Sequence, residues 1–330
     1  MKAFENLSPA TLDEAVELLG TARANGEIAY PAGGGSDLLG MVKDELVPAP
    51  DRIVDLKRIP GLDEIRTAES RTEIGGLVTV DAIARDEGIR SRYPVLAEAA
   101  AAVGAPQLRN TGTIAGNVCQ RPWCWYFRQG FSCLKRGGDQ CYSVIGENQQ
   151  HAIFGGGPSF IVHPSDTANA LVALDAEFQI AGPNGERSVP ASDFFVLPRD
   201  SLERENVLEP DELLVAMSLP AARADQSGAY RKVMDREAWT HAVVSVALTL
   251  EMDGAICRDA RIVMGGVAPI PWRVPAAEDV LRGQAITTEL AQQAADTALE
   301  GAQPLAKNGY KVTMARALVR RSIIEVSGAA

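Results

Sequence analysis

Four of the five cysteines fall in one 23-residue window, at Cys119, Cys124, Cys133 and Cys141, and the fifth, Cys257, lies far downstream. Their spacing is C-x4-C-x8-C-x7-C, among Arg, Pro, Trp, Gly and Asp, as in a loop and unlike an aliphatic core. Structural disulfides belong mainly to small secreted domains, and the opening MKAFENLSPATLDEAVELL lacks the parts of a secretory signal. A metal site with thiolate ligands is the simpler chemistry. Zinc sites pair close C-x2-4-C knuckles, and only the first pair comes near that spacing. A cubane iron–sulfur cluster also takes four thiolates and tolerates wider loops. Arg121, Arg128, Lys135 and Arg136 would offset a cluster's negative charge and favour the thiolates. Spacing alone leaves a cluster, zinc and no metal all open.

A second chemistry-bearing stretch lies upstream. The strand Ile28-Ala29-Tyr30 runs into Pro31-Ala32-Gly33-Gly34-Gly35-Ser36-Asp37-Leu38-Leu39. Three glycines between a strand and a helix let backbone N–H groups face outward, a nest suited to a pyrophosphate. The plain alternative is a flexible surface turn. There is no G-x-G-x-x-G pattern and no P-loop lysine. Glycine-bearing turns also flank the cysteine window, at Thr111–Asn117 and Gly155–Gly157. Nothing pairs His151 or His163 with a nucleophile, so both read as hydrogen-bonding loop residues, and His241 as part of a C-terminal sheet. Trp123, Trp125, Tyr126 and Phe127 read as packing over the cysteine loop, and Cys257 as structural.

The elements that must position these residues follow from pattern. A short strand leads to Ser8-Pro9 as helix cap and first residue, with Leu12, Ala15, Val16 and Leu19 at helical spacing and Asn25-Gly26 as the stop. Strands follow at 52–56 and 72–75, and an Ala-rich helix at 94–103. The run TANALVALDAEFQI reads as helix then strand, PNGERSVP as a hairpin turn, and 213–219 as a strand. Residues 220–228 are the linker candidate. Beyond it, 230–234, 243–252 and 260–265 alternate like three antiparallel strands, with helices at 276–281, 289–300 and 312–326. At 330 residues the chain has room for two domains. Its 46% hydrophobic and 23% charged content describe an ordinary globular protein. A net charge of −11 excludes a broad nucleic-acid footprint, and no apolar run approaches the ~18 residues of a membrane span. The expectation is a cytoplasmic chain, or a periplasmic one if a partner subunit carries it out.

The pair AGGGSDLL (32–39) and TGTIAGN (111–117) resembles the two flavin-diphosphate signatures of the FAD-binding medium subunits of molybdenum hydroxylases, the xanthine dehydrogenase and carbon monoxide dehydrogenase group. HPSD (163–166), RKVMDREAWTHAVVSVA (231–247) and GGVAPIPWR (265–273) are similar to the same family, so the resemblance covers essentially the whole chain. The loop CQRPWCWYFRQGFSCLKRGGDQC resembles the aldehyde oxidoreductase type, which carries an extra [4Fe-4S] cluster there.

The resemblance implies an α+β flavoprotein: a PCMH-type FAD-binding domain of two α/β lobes (1–222, with the cluster loop at 119–141), then a three-stranded antiparallel sheet with helices (228–328). It implies that Ala32, Gly33, Gly34, Gly35 and Ser36 cradle the FAD pyrophosphate, with Asp37 and Leu38 starting the helix behind. Thr111, Thr113, Gly116 and Asn117 would hold the phosphates and ribityl chain, Asp166 a sugar hydroxyl, and Lys232 would lie near the isoalloxazine. Asp166 as a mere helix cap is the alternative. Cys119, Cys124, Cys133 and Cys141 would ligate the cluster. Some relatives carry a cysteine shortly before HPSD, where this chain reads Pro158-Ser159-Phe160; if that cysteine is a ligand in them, either Cys119 is the substitute here or the site differs.

The implied function is an oxidoreductase subunit for electron transfer within a heterotrimer. A small subunit with two [2Fe-2S] clusters would pass electrons to FAD, a large molybdopterin subunit would oxidise an aldehyde or heteroaromatic substrate, and an external acceptor would take the electrons. Two other classes compete: a stand-alone flavin oxidase, for which no base stands out, and a non-catalytic metal-loop assembly subunit.

Overall fold

The computed structural model describes residues 2–238 and 240–329. Helix α1 (Leu12–Ala24) starts at Thr11, whose hydroxyl accepts from the Glu14 N–H at 3.2 Å, while the Glu14 carboxylate accepts from Ala10 N–H at 2.8 Å. That reciprocal pairing satisfies N–H groups left free at a helix start, so the cap sits three residues beyond the expected Ser8. Ala15, Val16, Leu19 and Ala22 form its buried stripe, and Gly26 at φ +70° ends it. The stripe covers a parallel sheet of β1 (Glu5–Leu7), β2 (Ala29–Ala32) and β3 (Arg52–Asp55), in the order β1-β3-β2. Helix α2 (Leu38–Lys43) leaves the end of β2 through the three glycines.

The second lobe is an antiparallel sheet in the order β4-β5-β8-β6-β7, from β4 (Ile65–Thr67), β5 (Arg71–Gly75), β6 (Glu177–Gly182), β7 (Gly185–Pro190) and β8 (Leu213–Pro220). The hairpin closes at Gly182 opposite Gly185, where PNGERSVP predicts a turn. Over it lie α3 (Pro94–Ala101), α4 (Ile114–Val118) and α5 (Asp166–Ala173), which share one core with Ile74, Phe178, Met217 and Leu219.

The C-terminal sheet has four strands where three are expected: β9 (Gln226–Val233), β10 (Val244–Asp253), β11 (Ile256–Gly265) and β12 (Trp272–Arg273). The addition, β12, is two residues long, too short to show periodicity. The strands also run further than their apolar runs, so 221–225 is all that separates β8 from β9.

Both faces of this sheet are covered. Val244, Val246, Leu248 and Leu250 of β10 pack with α6 (Pro275–Leu281), α7 (Thr288–Ala298) and α8 (Tyr310–Ser327). On the other face, Tyr230, Ala247 and Val263 join the core under α3 and α5. That explains why β10 reads as a nearly continuous apolar run. Among the described residues, no helix is long and apolar enough to cross a membrane.

Candidate functional site

The two glycine segments meet face to face. A Cβ on Gly34 would lie 1.8 Å from the Thr111 carbonyl oxygen, and one on Gly33 would lie 3.0 Å from Thr113 Oγ1. Gly112 answers from the other side, where a Cβ would meet the Leu108 carbonyl oxygen at 2.9 Å and Ser36 Oγ at 3.3 Å. Gly35 takes φ +71°, the left-handed region open to glycine. Thr113 caps α4, its hydroxyl accepting from Gly116 N–H at 3.2 Å, and Leu38 begins α2. The sequence separates these segments by some seventy residues, and the fold presses them backbone to backbone. Close backbone packing of this kind requires glycine, and glycine-rich strand-to-helix turns are a known way to present backbone N–H groups to a diphosphate.

Asn117 carries the arrangement onward. Its Oδ1 accepts from Ser165 Oγ at 2.6 Å and Thr167 Oγ1 at 2.7 Å, tying the second glycine segment to the start of α5. The cap of α5 is Ser165, whose hydroxyl accepts from Ala168 N–H at 3.0 Å, so Asp166 is no cap. Its carboxylate turns to the C-terminal sheet. Lys232 Nζ donates to Oδ2 at 2.7 Å and also to the Ala102 carbonyl at 2.9 Å, and Tyr230 donates to Oδ1 at 2.5 Å. Both side chains of the ion pair are almost fully buried, at 3% and 5% exposure. Burial pushes the Asp166 carboxyl up, against the pull of Lys232 and Tyr230, and burial beside Asp166 pushes the Tyr230 phenol well above its ordinary range. Asp166 and Lys232, named separately from the sequence, are one unit across the two halves of the chain. Tyr230 was missed; its signal was alternation, which puts it on the Lys232 face of β9.

The cysteine window divides. Cys124 and Cys133 share a buried cluster with Phe127 and Ile161, against which Tyr126 and Tyr142 pack, and the Cys133 and Cys141 thiols are near enough to act on the charge of Cys124. Cys124 Sγ lies 3.2 Å from His151 Nε2, and Cys141 Sγ lies 3.0 Å from Ser143 Oγ. Burial pushes the Cys124 thiol up to about 11. Cys119 ends α4 and packs against the large core instead, where burial pushes its thiol up to about 12. Among the described residues, no three of His, Cys, Asp or Glu are arranged to hold a metal ion. Cys119, at the end of α4, is partly buried against the main core, whereas Cys124 and Cys133 lie in the small buried cluster.

Against expectation, His151 is paired with a thiol, that of Cys124, and burial holds its pKa down at about 4. His163 Nε2 lies 3.2 Å from the Val118 carbonyl, and burial holds its pKa down at about 4. His241 is not in the sheet as expected: it precedes β10, packs its ring 4.4 Å from Trp123, and lines a small cavity with Asp166, Asn169 and Ser245. Cys257 is buried, with its thiol 3.3 Å from the Asp259 carbonyl, as a structural residue should be.

Comparison with known proteins agrees with this geometry. Residues 2–222 match the family described as FAD binding domain in molybdopterin dehydrogenase, and residues 229–326 match CO dehydrogenase flavoprotein C-terminal domain. The chain is 37% identical over 288 residues to the aldehyde oxidoreductase FAD-binding subunit PaoB of Escherichia coli K12, covering 86% of each. It is 30% identical over 325 residues to the carbon monoxide dehydrogenase medium chain of Hydrogenophaga pseudoflava, covering 97% of this chain and 96% of that one. A solved structure of the Hydrogenophaga pseudoflava enzyme superposes with a TM-score of 0.78 at 29% identity, covering 99% and 98% of the two chains. With both halves of the fold and the interlocked glycine segments in place, the chain belongs to the FAD-binding subunits of the molybdopterin-dependent oxidoreductases, the molybdenum hydroxylase family.

Proposed function

We propose that this chain is the FAD-binding, electron-transfer subunit of a heterotrimeric molybdenum hydroxylase that oxidises an aldehyde or heteroaromatic substrate. The observation that carries the reading is the Cβ-free contact of Gly34 with Thr111. Named relatives support it, among them FAD subunits of an aldehyde oxidoreductase and a nicotinate dehydrogenase. Bound FAD would supply the redox chemistry, accepting electrons from a small subunit with two [2Fe-2S] clusters and releasing them to an external acceptor. A large molybdopterin subunit would select the substrate. This chain's residues hold and orient. Ala32, Gly33, Gly34, Gly35 and Ser36 present backbone amides to the diphosphate, with Asp37 and Leu38 behind. Thr111, Thr113, Gly116 and Asn117 face them, and Asp166 with Lys232 forms a fixed polar floor where the domains, 1–222 and 228–328, meet. The family matches at 2–222 and 229–326 support that division.

For the loop we propose the ligand set that the resemblance implies, with Cys119, Cys124, Cys133 and Cys141 holding a [4Fe-4S] cluster. The test is the complex purified anaerobically with its partners, with FAD, iron, sulfide and zinc measured per chain. The expected result is FAD bound near stoichiometrically. Iron beyond the small subunit's clusters, to about four atoms, should be present in wild type and vanish in Cys124→Ser. No flavin would overturn the flavoprotein reading and leave an assembly subunit. Flavin with no extra iron would end the cluster reading alone.

A further inference from the structure

Asp37 stands immediately after the glycine nest, in the place of an N-cap, and an aspartate there usually accepts from the first N–H groups of its helix. Here it does not. Its carboxylate instead accepts from Arg128 Nη1 at 2.8 Å and from the Arg121 backbone N–H at 3.1 Å. The same guanidinium donates to the Arg121 carbonyl at 2.7 Å and the Pro122 carbonyl at 3.1 Å. One arginine thus knots the turn that buries Cys124, and Asp37 holds the knot. The other end of the short helix is gripped too. Arg136 donates to the carbonyl of Glu45, just past the end of α2. A second clamp fixes the loop to the far lobe, where the Glu205 carboxylate forms ion pairs with Arg121 Nε and with the buried ammonium of Lys135, each at 2.8 Å.

The cysteine loop therefore holds the element behind the nest at both ends. The nest and the loop cannot move independently while these contacts stand. Asp37 and Arg128 are partly shielded, at 27% and 19% side-chain exposure, and the guanidinium has two further acceptors fixing it, the Pro122 and Arg121 carbonyls, unlike a loose surface pair.

We infer that Asp37 is a positioning residue that couples the cysteine loop to the flavin cradle through Arg128, so that ordering of the loop and binding of FAD strengthen one another. This rests on the flavin reading above. Coupling of this kind is reciprocal: whatever the ordered loop adds to FAD affinity, bound FAD must add to the order of the loop.

The experiment uses the full chain with its partner subunits, stripped of flavin and titrated with FAD by fluorescence quenching, as wild type, Asp37→Asn, Arg128→Gln and the double variant. Each single change should weaken FAD binding roughly tenfold, within the usual range of coupling between sites. The double should be no weaker than the worse single, because both remove one contact. In wild type, saturating FAD should slow amide exchange across 119–147, and in either variant it should not. Should Asp37→Asn fail to fold, Arg128→Gln, which leaves the nest's sequence intact, carries the test alone. Wild-type FAD affinity in Arg128→Gln, additive losses in the double, or amide exchange in the loop indifferent to FAD would each overturn the coupling. A wild type that binds no FAD sinks the flavin reading as well, and that result is distinct from flavin bound without coupling.

Discussion

The Lys232–Asp166 pair shows how a single residue can hold two domains in register. Two opposite charges almost free of water are stable together only because further partners complete them: Tyr230 on the carboxylate and the Ala102 carbonyl on the ammonium. Removing one partner strands the other. Lys232→Met should therefore destabilise the chain by about 3 kcal/mol or more. Lys232→Met with Asp166→Asn should recover part of that loss, since no buried charge is then left alone. Urea unfolding of the three proteins checks this, and a double variant no more stable than Lys232→Met would mean that packing, not charge, dominates the site.

At the scale of the element, the strand–glycine–helix unit at 29–43 works because it has no side chains where another backbone must pass. The same argument separates functional glycines from idle ones. In Gly34→Ala the new methyl group would meet the Thr111 carbonyl, so the segments must part, and flavin content should fall to about a tenth or less. Gly20, inside α1, has nothing within 4 Å of a Cβ. Gly20→Ala should keep full flavin and gain about 0.5–1 kcal/mol of stability. Flavin absorbance per chain and thermal unfolding read both, and normal flavin in Gly34→Ala would remove the cradle from the argument.

For the whole molecule, burial of polar groups between layers sets the response to acid. His163 and His241 are held neutral, with pKa values near 4 produced chiefly by desolvation. In the unfolded chain each titrates near 6.5. Between those values the unfolded state binds more protons, so their contribution to stability is whole above about pH 6.5 and is lost as pH falls toward 4. Each unit of depression is worth about 1.4 kcal/mol. His163→Gln combined with His241→Gln should thus show a shallower loss of stability from pH 6.5 to 4 than wild type, measured by denaturant midpoints across that range. Equal slopes would mean these imidazoles are not excluded from water.

The sequence alone determined what depends on local chemistry. Periodicity and punctuation placed α1, the Ala-rich helix at 94–101, the 182–185 turn and the apolar run of β10, because each is decided by its own residues or near neighbours. The glycine run at 33–35 was legible as a possible phosphate nest from its own residues, and its pairing with 111–117 came from the family resemblance.

Tertiary structure decided what depends on partners distant in the chain. Asp166 meets Tyr230 and Lys232 only because the fold brings the start of α5 to β9, and Asp37 gives up its helix cap only because Arg128 arrives from a loop some ninety residues on. The four cysteines look alike in spacing, yet Cys124 and Cys133 turn into a small cluster of their own and Cys119 packs against the main core. Spacing along a loop sets how far thiols can reach. Which way each one points is set by the packing of the elements at the loop's ends, and that packing is global.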